Sequence, residues 1–465
     1  MENIKPYNKY KPSLIDGLGD IPEHWERWKL NRVLFFQEGP GLRTWQFKDS
    51  GVKVICVTNI TPPKISFAKM TKYISVEEYE EKYKHFTVEK GNILLASSGA
   101  TWGKVSTYND DEKVILNTST IRLNTKKNEL LSNSIVKHLL NANYVNTQLQ
   151  NLLTGSCQPN FGPTHLNKLY VALPPLEEQT IIANFLDYKL AKIDRFIRKK
   201  KQLIKLLKEQ KSGIINHAVT KGLDPNATMK NSGIEWLGDI PKDWEVRKLK
   251  YSVSLNQHRE FSNEESKINK IALENIESKT GRLLVGGNSF EGIGTIFKKD
   301  DVLFGKLRPY LAKVLAPNFE GSCVNEILVL TPNKEIWERE FLKFRMLSSE
   351  FIKIVDNSTF GSKMPRASWD FIGGLKISCP PIEEQKAIVD YIEKETAKFN
   401  KVIVTIEKET ALTQEYRKAL ITEVVTGKID VRSYVIPNLE AEMANEELED
   451  ELDVVIEDEA EIEIE

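Results

Sequence analysis

The sequence predicts an α+β protein: two mixed α/β domains separated by two long antiparallel coiled-coil helices, arranged as an internal repeat with a pseudo-twofold axis. Three observations predict it. Leu173-Pro-Pro-Leu-Glu-Glu-Gln179 returns as Cys379-Pro-Pro-Ile-Glu-Glu-Gln385, 206 positions later. The runs behind these motifs end in step, because Val219 and Val425 are also 206 apart. Leu18-Gly-Asp-Ile-Pro-Glu-His-Trp-Glu26 returns as Leu237-Gly-Asp-Ile-Pro-Lys-Asp-Trp-Glu245, shifted by 219. Identity held at a fixed offset marks one supersecondary unit used twice.

In chain order, residues 1–17 are a polar lead-in. The repeated Gly-Asp-Ile-Pro-x-x-Trp reads as a turn followed by a Trp that anchors a domain edge. Trp25 to Leu173 is 149 residues and Trp244 to Cys379 is 136, so each block is domain-sized. Residues 52–57, 93–96, 114–116 and 120–123 read as strands in the first block, and 270–273, 302–304 and 327–330 in the second. Helical patterns follow at 132–153 and 335–355. Gly155-Ser-Cys-Gln-Pro159 lies 206 positions before Gly361-Ser-Lys-Met-Pro365, so two related frames carry different side chains in corresponding loops. The expected division is 1–173 for the first domain, 174–220 for a long helix, 221–379 for a linker and second domain, 380–426 for a second long helix, and 427–465 for a terminal segment.

Each Pro-Pro motif is a helix start, with Pro in the first turn and two acids beside the positive helix end. Leu186, Leu190, Ile193, Ile197, Ile204, Leu207, Ile214 and Ala218 fall on a 4-3 spacing broken at Lys200 and Lys211. That spacing is a coiled-coil seam and needs a partner helix. Ile388, Ile392, Phe399, Ile403, Ile406, Leu420 and Val424 supply it less regularly. Each rod would be roughly 65 Å long, too long to hide in one small domain. Two separate amphipathic helices in separate cores would be the less economical arrangement.

The net charge of −1 hides an asymmetry. Residues 440–465 hold 14 acids and no Lys or Arg, which leaves 65 basic against 52 acidic residues before them. A basic body suits a polyanionic partner. No stretch approaches a membrane span. Four widely spaced Cys without a CxxC read as reduced packing thiols, as in the cytoplasm. The six scattered His show no ligand spacing, so no metal site is expected. Gly99 to Lys104 is one residue short of a phosphate loop, and Val105 stands where a magnesium-binding hydroxyl is needed. The Pro-Pro motifs lack the preceding Asn or Asp and the following aromatic of amino-methyltransferases. No catalytic residue is nominated.

Base edges are read by Arg, Lys, Asn and Gln, with Ser and Thr as adaptable partners. Loops after the expected strands nominate Arg43, Asn59, Ser98, Thr101, Trp102, Lys104, Gln158 and Asn160 in the first block. In the second they nominate Arg259, Asn275, Lys306, Arg308, Tyr310, Lys363 and Arg366. The basic run Arg198-Lys-Lys-Lys201 reads as a solvated helix flank in preference to a phosphate-facing cluster.

The doubled Leu-Gly-Asp-Ile-Pro-x-x-Trp, the doubled Pro-Pro-[Leu/Ile]-Glu-Glu-Gln helix and the Val-Thr-Lys-Gly and Val-Thr-Gly-Lys ends resemble the specificity subunit of type I restriction-modification enzymes. The resemblance covers residues 12–435. It implies two target recognition domains, each reading half of a split, asymmetric double-stranded DNA sequence, with the helices fixing the spacing. It implies docking of two methyltransferase subunits at the helices and their ends, for which Glu177, Gln179, Glu383 and Gln385 are the candidates. Two restriction-translocase subunits complete the implied assembly. S-adenosylmethionine, ATP and Mg²⁺ would belong to those partners, with no cofactor in this chain. The alternative is a DNA methyltransferase or nuclease with an unrecognised active site; a third reading is a coiled-coil adaptor with no DNA preference.

Overall fold

The computed structural model describes residues 5–437 except 63, 69, 100–101, 154–159, 263–268, 285–289 and 360–363. It divides into two compact units: residues 1–199 with 409–465, and residues 200–408.

In the first unit, two four-stranded sheets form the block. One is antiparallel, in the order Val105–Thr107, Ile93–Ala96, Thr120–Thr125, Leu34–Glu38. The other runs Lys72–Ile74, Val52–Ile55, Val114–Leu116, Thr87–Val88, with its two inner strands parallel. Ile93 to Ala96 is buried at every position. Such a strand is apolar throughout because both of its faces pack. Helices Asn133–Leu140 and Asn143–Leu152 cover the antiparallel sheet, and Tyr170–Leu173 pairs with Glu26–Lys29 below it.

The second unit repeats this plan. Val253–Asn256, Ile327–Pro332, Val302–Gly305 and Val314–Leu315 form the antiparallel sheet. The other sheet runs Arg259–Ser262, Gly292–Phe297, Gly321–Cys323, Asn269–Ile271, again with one parallel pair. Its helices are Arg339–Leu347 and Ser349–Asn357, and Lys376–Cys379 pairs with Glu245–Lys248.

The expected helices 132–153 and 335–355 are therefore two helices each. The break falls at corresponding residues, Ala142 (ψ 142°) and Ser348 (ψ 144°), both extended. Short polar side chains beside each break bond backwards: Asn141 Nδ2 donates to Lys137 O at 2.8 Å and Ser348 Oγ to Arg345 O at 2.8 Å. These local bonds compete with helix continuation. The strands expected at 52–57 and 270–273 stop at residues 55 and 271 and turn into 3-10 segments at Val57–Asn59 and Leu273–Asn275.

The long helices are Leu176–Lys221 and Ile382–Val425. Within the first unit their ends meet: Arg417 grips Asp194 through Nε (2.8 Å) and a second nitrogen (3.1 Å). Leu186 and Leu190 share a core there with Leu420 and Val424. Within the second unit Lys211 Nζ donates to Asn400 Oδ1 at 2.9 Å, and Ala218 and Ile392 share a core. Lys211 is thus not a break. It keeps an inward place because its aliphatic stem packs while its amine finds an oxygen, and burial lowers its pKa. Thr396 and Thr410 likewise occupy buried positions that an apolar count passes over.

Cys56, Cys323 and Cys379 are free and buried; Cys157 lies outside the described residues. Burial pushes the Cys323 thiol up to about 12 and Cys379 up to about 11, the mark of inert packing thiols. Among the described residues no helix is long and apolar enough to cross a membrane.

Candidate nucleic-acid interface

Each block stands on a joint made by the two repeated motifs. Trp25 and Trp244 are fully buried. Trp25 Nε1 donates to Glu178 Oε1 at 2.9 Å, and Trp244 Nε1 to Glu384 Oε1 at 2.9 Å. A buried indole N–H usually finds such a partner. The following Gln acts as a brace. Gln179 accepts from Ser132 N (2.9 Å) and donates to Leu130 O and Pro174 O (both 2.8 Å). Gln385 accepts from Glu338 N (2.8 Å) and donates to Ile336 O (2.7 Å) and Pro380 O (2.9 Å). Every partner of the Gln is displaced by the same 206 positions.

The joint also explains the glycines that follow the long helices. Gly222 (φ 80°) and Gly427 (φ 70°) turn the chain, and a Cβ on Gly427 would stand 2.3 Å from Pro22 Cδ. A Cβ on Gly222 would come 3.4 Å from the Trp244 ring. Two of the candidate partner-binding residues are corrected by this geometry. Gln179 and Gln385 are completely buried and their amides are spent inside the fold, so they cannot also face another chain. Glu177 and Glu383 are exposed, and Glu383 pairs with Lys386 at 2.7 Å.

Above the joint, two loops in each block are stitched together. In the first, Ser98 bridges Asn160, and Phe161 N donates to Ser97 O at 3.2 Å. In the second, Leu307 bridges Arg366, and Ala367 N donates to Lys306 O at 2.9 Å. The stitch gathers Ser98, Trp102, Lys104 and Asn160 on one block, and Lys306, Arg308, Tyr310 and Arg366 on the other. Lys104, Asn160, Arg308, Tyr310 and Arg366 are exposed. The Trp102 ring stands edge-on to Phe161, 5.5 Å between centroids. Arg366 is engaged with Glu326 at 3.0 Å. Thr101, Gln158 and Lys363 lie outside the described residues.

The described residues of the turn within the stitch match in both blocks. Gly99 (φ 67°) and Gly103 (φ 77°) lie four residues apart in left-handed backbone, and so do Arg308 (φ 51°) and Ala312 (φ 44°). Trp102 N donates to Gly99 O at 3.1 Å, as Leu311 N does to Arg308 O at 3.0 Å. Glycine adopts this backbone freely, whereas an L side chain costs roughly 1–2 kcal/mol there. The sequence reading missed this equivalence, since only the ends of these loops, Lys104 and Lys313, share a residue type.

Other candidates sit elsewhere. Asn59 and Asn275 are buried, and each takes a backbone N–H on its Oδ1: from Cys56 at 2.8 Å and from Ala272 at 2.7 Å. Asn59 also donates to Ser66 O and Met70 O, both at 2.9 Å. They hold the 3-10 turns and are withdrawn as surface readers. Arg43 is exposed before the short helix Thr44–Gln46, next to the exposed Trp45. Arg259 opens an edge strand of the second unit's other sheet, in register with Thr295.

Among the described residues no group of His, Cys, Asp and Glu is arranged to hold a metal ion. What the site offers is hydrogen-bonding and cationic side chains on a braced frame.

The profile described as "Type I restriction modification DNA specificity domain" matches residues 22–206 and 241–409, one match per repeat. The MjaVIII type I restriction enzyme specificity subunit of Methanocaldococcus jannaschii is 23% identical over 427 residues, which cover 89% of this chain and 95% of that one. The putative MjaX specificity subunit of the same organism is 27% identical over 440 residues, 90% and 96% of the two chains. A chain solved in a study of complex assembly and conformational transition of the type I R-M system superposes with a TM-score of 0.62 at 15% identity, covering 87% of this chain and 98% of that one. The same frame, built twice and matched twice, places this chain in the type I restriction-modification DNA specificity family, as a DNA-recognition subunit and not a catalytic one.

Proposed function

We propose that the chain reads a bipartite, asymmetric DNA target, one half with each block, and carries the subunits that act on it. The observation that carries this reading is the stitched loop pair, built on the same joint in both blocks but with different side chains: Ser98, Gly99 and Asn160 against Leu307, Arg308 and Arg366. A fixed frame with exchangeable polar loops suits phosphate contacts that position and base contacts that select. Residues 1–173 and 221–379 are the two target recognition domains in this reading.

The long helices act as a spacer, paired as an antiparallel coiled coil. In support, Asp194 and Lys211 are 17 residues apart on one helix, and their partners Arg417 and Asn400 are 17 apart on the other. The matching 206-residue displacement of the Gln179 and Gln385 bonds supports a pseudo-twofold repeat. Two methyltransferase and two restriction-translocase subunits complete the assembly in the cytoplasm. S-adenosylmethionine, ATP and Mg²⁺ serve those partners, and the target adenine is flipped out of the duplex for methylation.

The test is an exchange of residues 244–379 for the corresponding block of a relative, co-expressed with its methyltransferase, followed by genome-wide mapping of methylated adenines. One half of the modified sequence should change and the other stay. A change in both halves, or in neither, overturns the two-reader arrangement.

A further inference from the structure

The turn that Gly99 and Gly103 make at no cost in the first block is made in the second by Arg308 and Ala312 (φ 51° and 44°). A side chain kept where the backbone favours glycine points from strain to use. The surroundings hold this turn on two sides. Arg308 N donates to Pro365 O at 2.8 Å, and Lys279 N reaches Leu311 O (3.2 Å) and Ala312 O (3.1 Å). Lys279 is itself left-handed (φ 64°).

The two arginines of this stitch differ in what they are free to do. Arg366 is committed to Glu326. Arg308 is exposed, and among the described residues its guanidinium makes no hydrogen bond or ion pair. A rigid backbone beneath an unengaged guanidinium limits the ordering cost of a bidentate contact. The matching pair of acceptors on a base edge is O6 and N7 of guanine in the major groove.

We propose that Arg308 reads a guanine in the half-site recognised by the second block. This rests on the two-reader arrangement above and names the base that one of its residues selects. Arg308 then gives specificity at one base pair, and the left-handed turn is retained to present it.

The test compares Arg308→Gly, Arg308→Lys and Ala312→Gly in the full chain assembled with its methyltransferase subunits. Readouts are the thermal midpoint, adenine methylation across the genome, and binding to half-site variants. Arg308→Gly should keep or raise the midpoint and lose discrimination at one G·C position by roughly 5- to 150-fold, the range for one bidentate pair. The half-site of the first block should stay as it was. Arg308→Lys should lose most of that discrimination, because an ammonium has no planar fork. Ala312→Gly should raise the midpoint and leave recognition alone.

Three results overturn the proposal. Arg308→Gly could leave the second half-site unchanged. It could weaken all sequences equally, the behaviour of a phosphate contact. Ala312→Gly could alter specificity as Arg308→Gly does, which would make the shape of the turn the reader. A block exchange that moves neither half-site would instead sink the two-reader arrangement, so the two failures are told apart.

Discussion

The two joints share a geometry and differ in their company. Glu384 takes the Trp244 indole. Glu178 takes the Trp25 indole, the Tyr7 hydroxyl at 2.5 Å and His24 Nε2 at 2.7 Å. Burial first, and then the bond to Glu178, push the Tyr7 hydroxyl's pKa up. The corresponding position to His24 is Asp243, which has no such role. The first joint is also tied to the chain end after the second long helix: Tyr10 donates to Gly427 O at 3.0 Å, and Arg432 lies 4.9 Å from the centre of the Tyr7 ring. The comparison teaches that the Trp–carboxylate contact and the Gln brace are common to both seats, and that the additions around Glu178 hold terminal chain segments.

The largest expected effect tests the shared part. Trp25→Ala and Trp244→Ala should each cost about 3–5 kcal/mol, as removal of a buried aromatic does. Denaturant unfolding measures it, and a loss below about 1 kcal/mol at either site would show that the joint is not what seats the block. The next tests the difference. Glu178→Gln should destabilise by about 2 kcal/mol more than Glu384→Gln, because it weakens two further bonds to a buried carboxylate. Equal losses would mean that Tyr7 and His24 contribute nothing there.

A third asymmetry is sensitive to pH. In the first unit, buried His138 bonds Asp187 at 2.7 Å, with Lys137 also 2.7 Å from that carboxylate. Burial holds the His138 pKa below its usual value, against the pull of Asp187. For Asp187, burial acts upward, but the bond with His138 and the charge of Lys137 bring its pKa down. Below about pH 6.5 the unfolded chain takes up a proton on this imidazole that the folded one resists, so stability falls as pH drops through that range. The position 206 residues on is Phe344. Hydrogen exchange, corrected for its intrinsic pH dependence, should show 133–140 loosening between pH 7 and 5.5 while 339–347 does not. His138→Phe should abolish the difference.

The smallest effect concerns the helices. Gly213 has nothing within 4 Å of where its Cβ would be, and its counterpart is Ala419. Gly213→Ala should stabilise by up to ~1 kcal/mol. A clear loss by thermal unfolding would reveal a contact that the helix geometry does not show.

The repeat made the frame legible. Two offsets picked out the repeated motifs and both long helices, because Trp, Pro and Gly have few alternatives in a close-packed frame. The loops were less legible, because Arg308 and Ala312 erase the glycine signal that Gly99 and Gly103 carry. Asn59 and Asn275 were misread as surface readers because an amide suited to an adenine edge is equally suited to a 3-10 turn. Gln179 and Gln385 were misread for the same reason: a carboxamide in a repeated motif can serve the chain's own backbone. Thr396 and Thr410 pack inward without being apolar, so the second long helix looked irregular in sequence.

The mixed sheet of each block has one further consequence. Its three shared strands are flanked at opposite margins, by Lys72–Ile74 beside Val52–Ile55 in one case and by Arg259–Ser262 beside Gly292–Phe297 in the other. A strand at a margin bonds to a single neighbour, so it can be gained or shed without rebuilding what lies inside. The outline of a block can therefore differ at either flank while the seat beneath it stays the same.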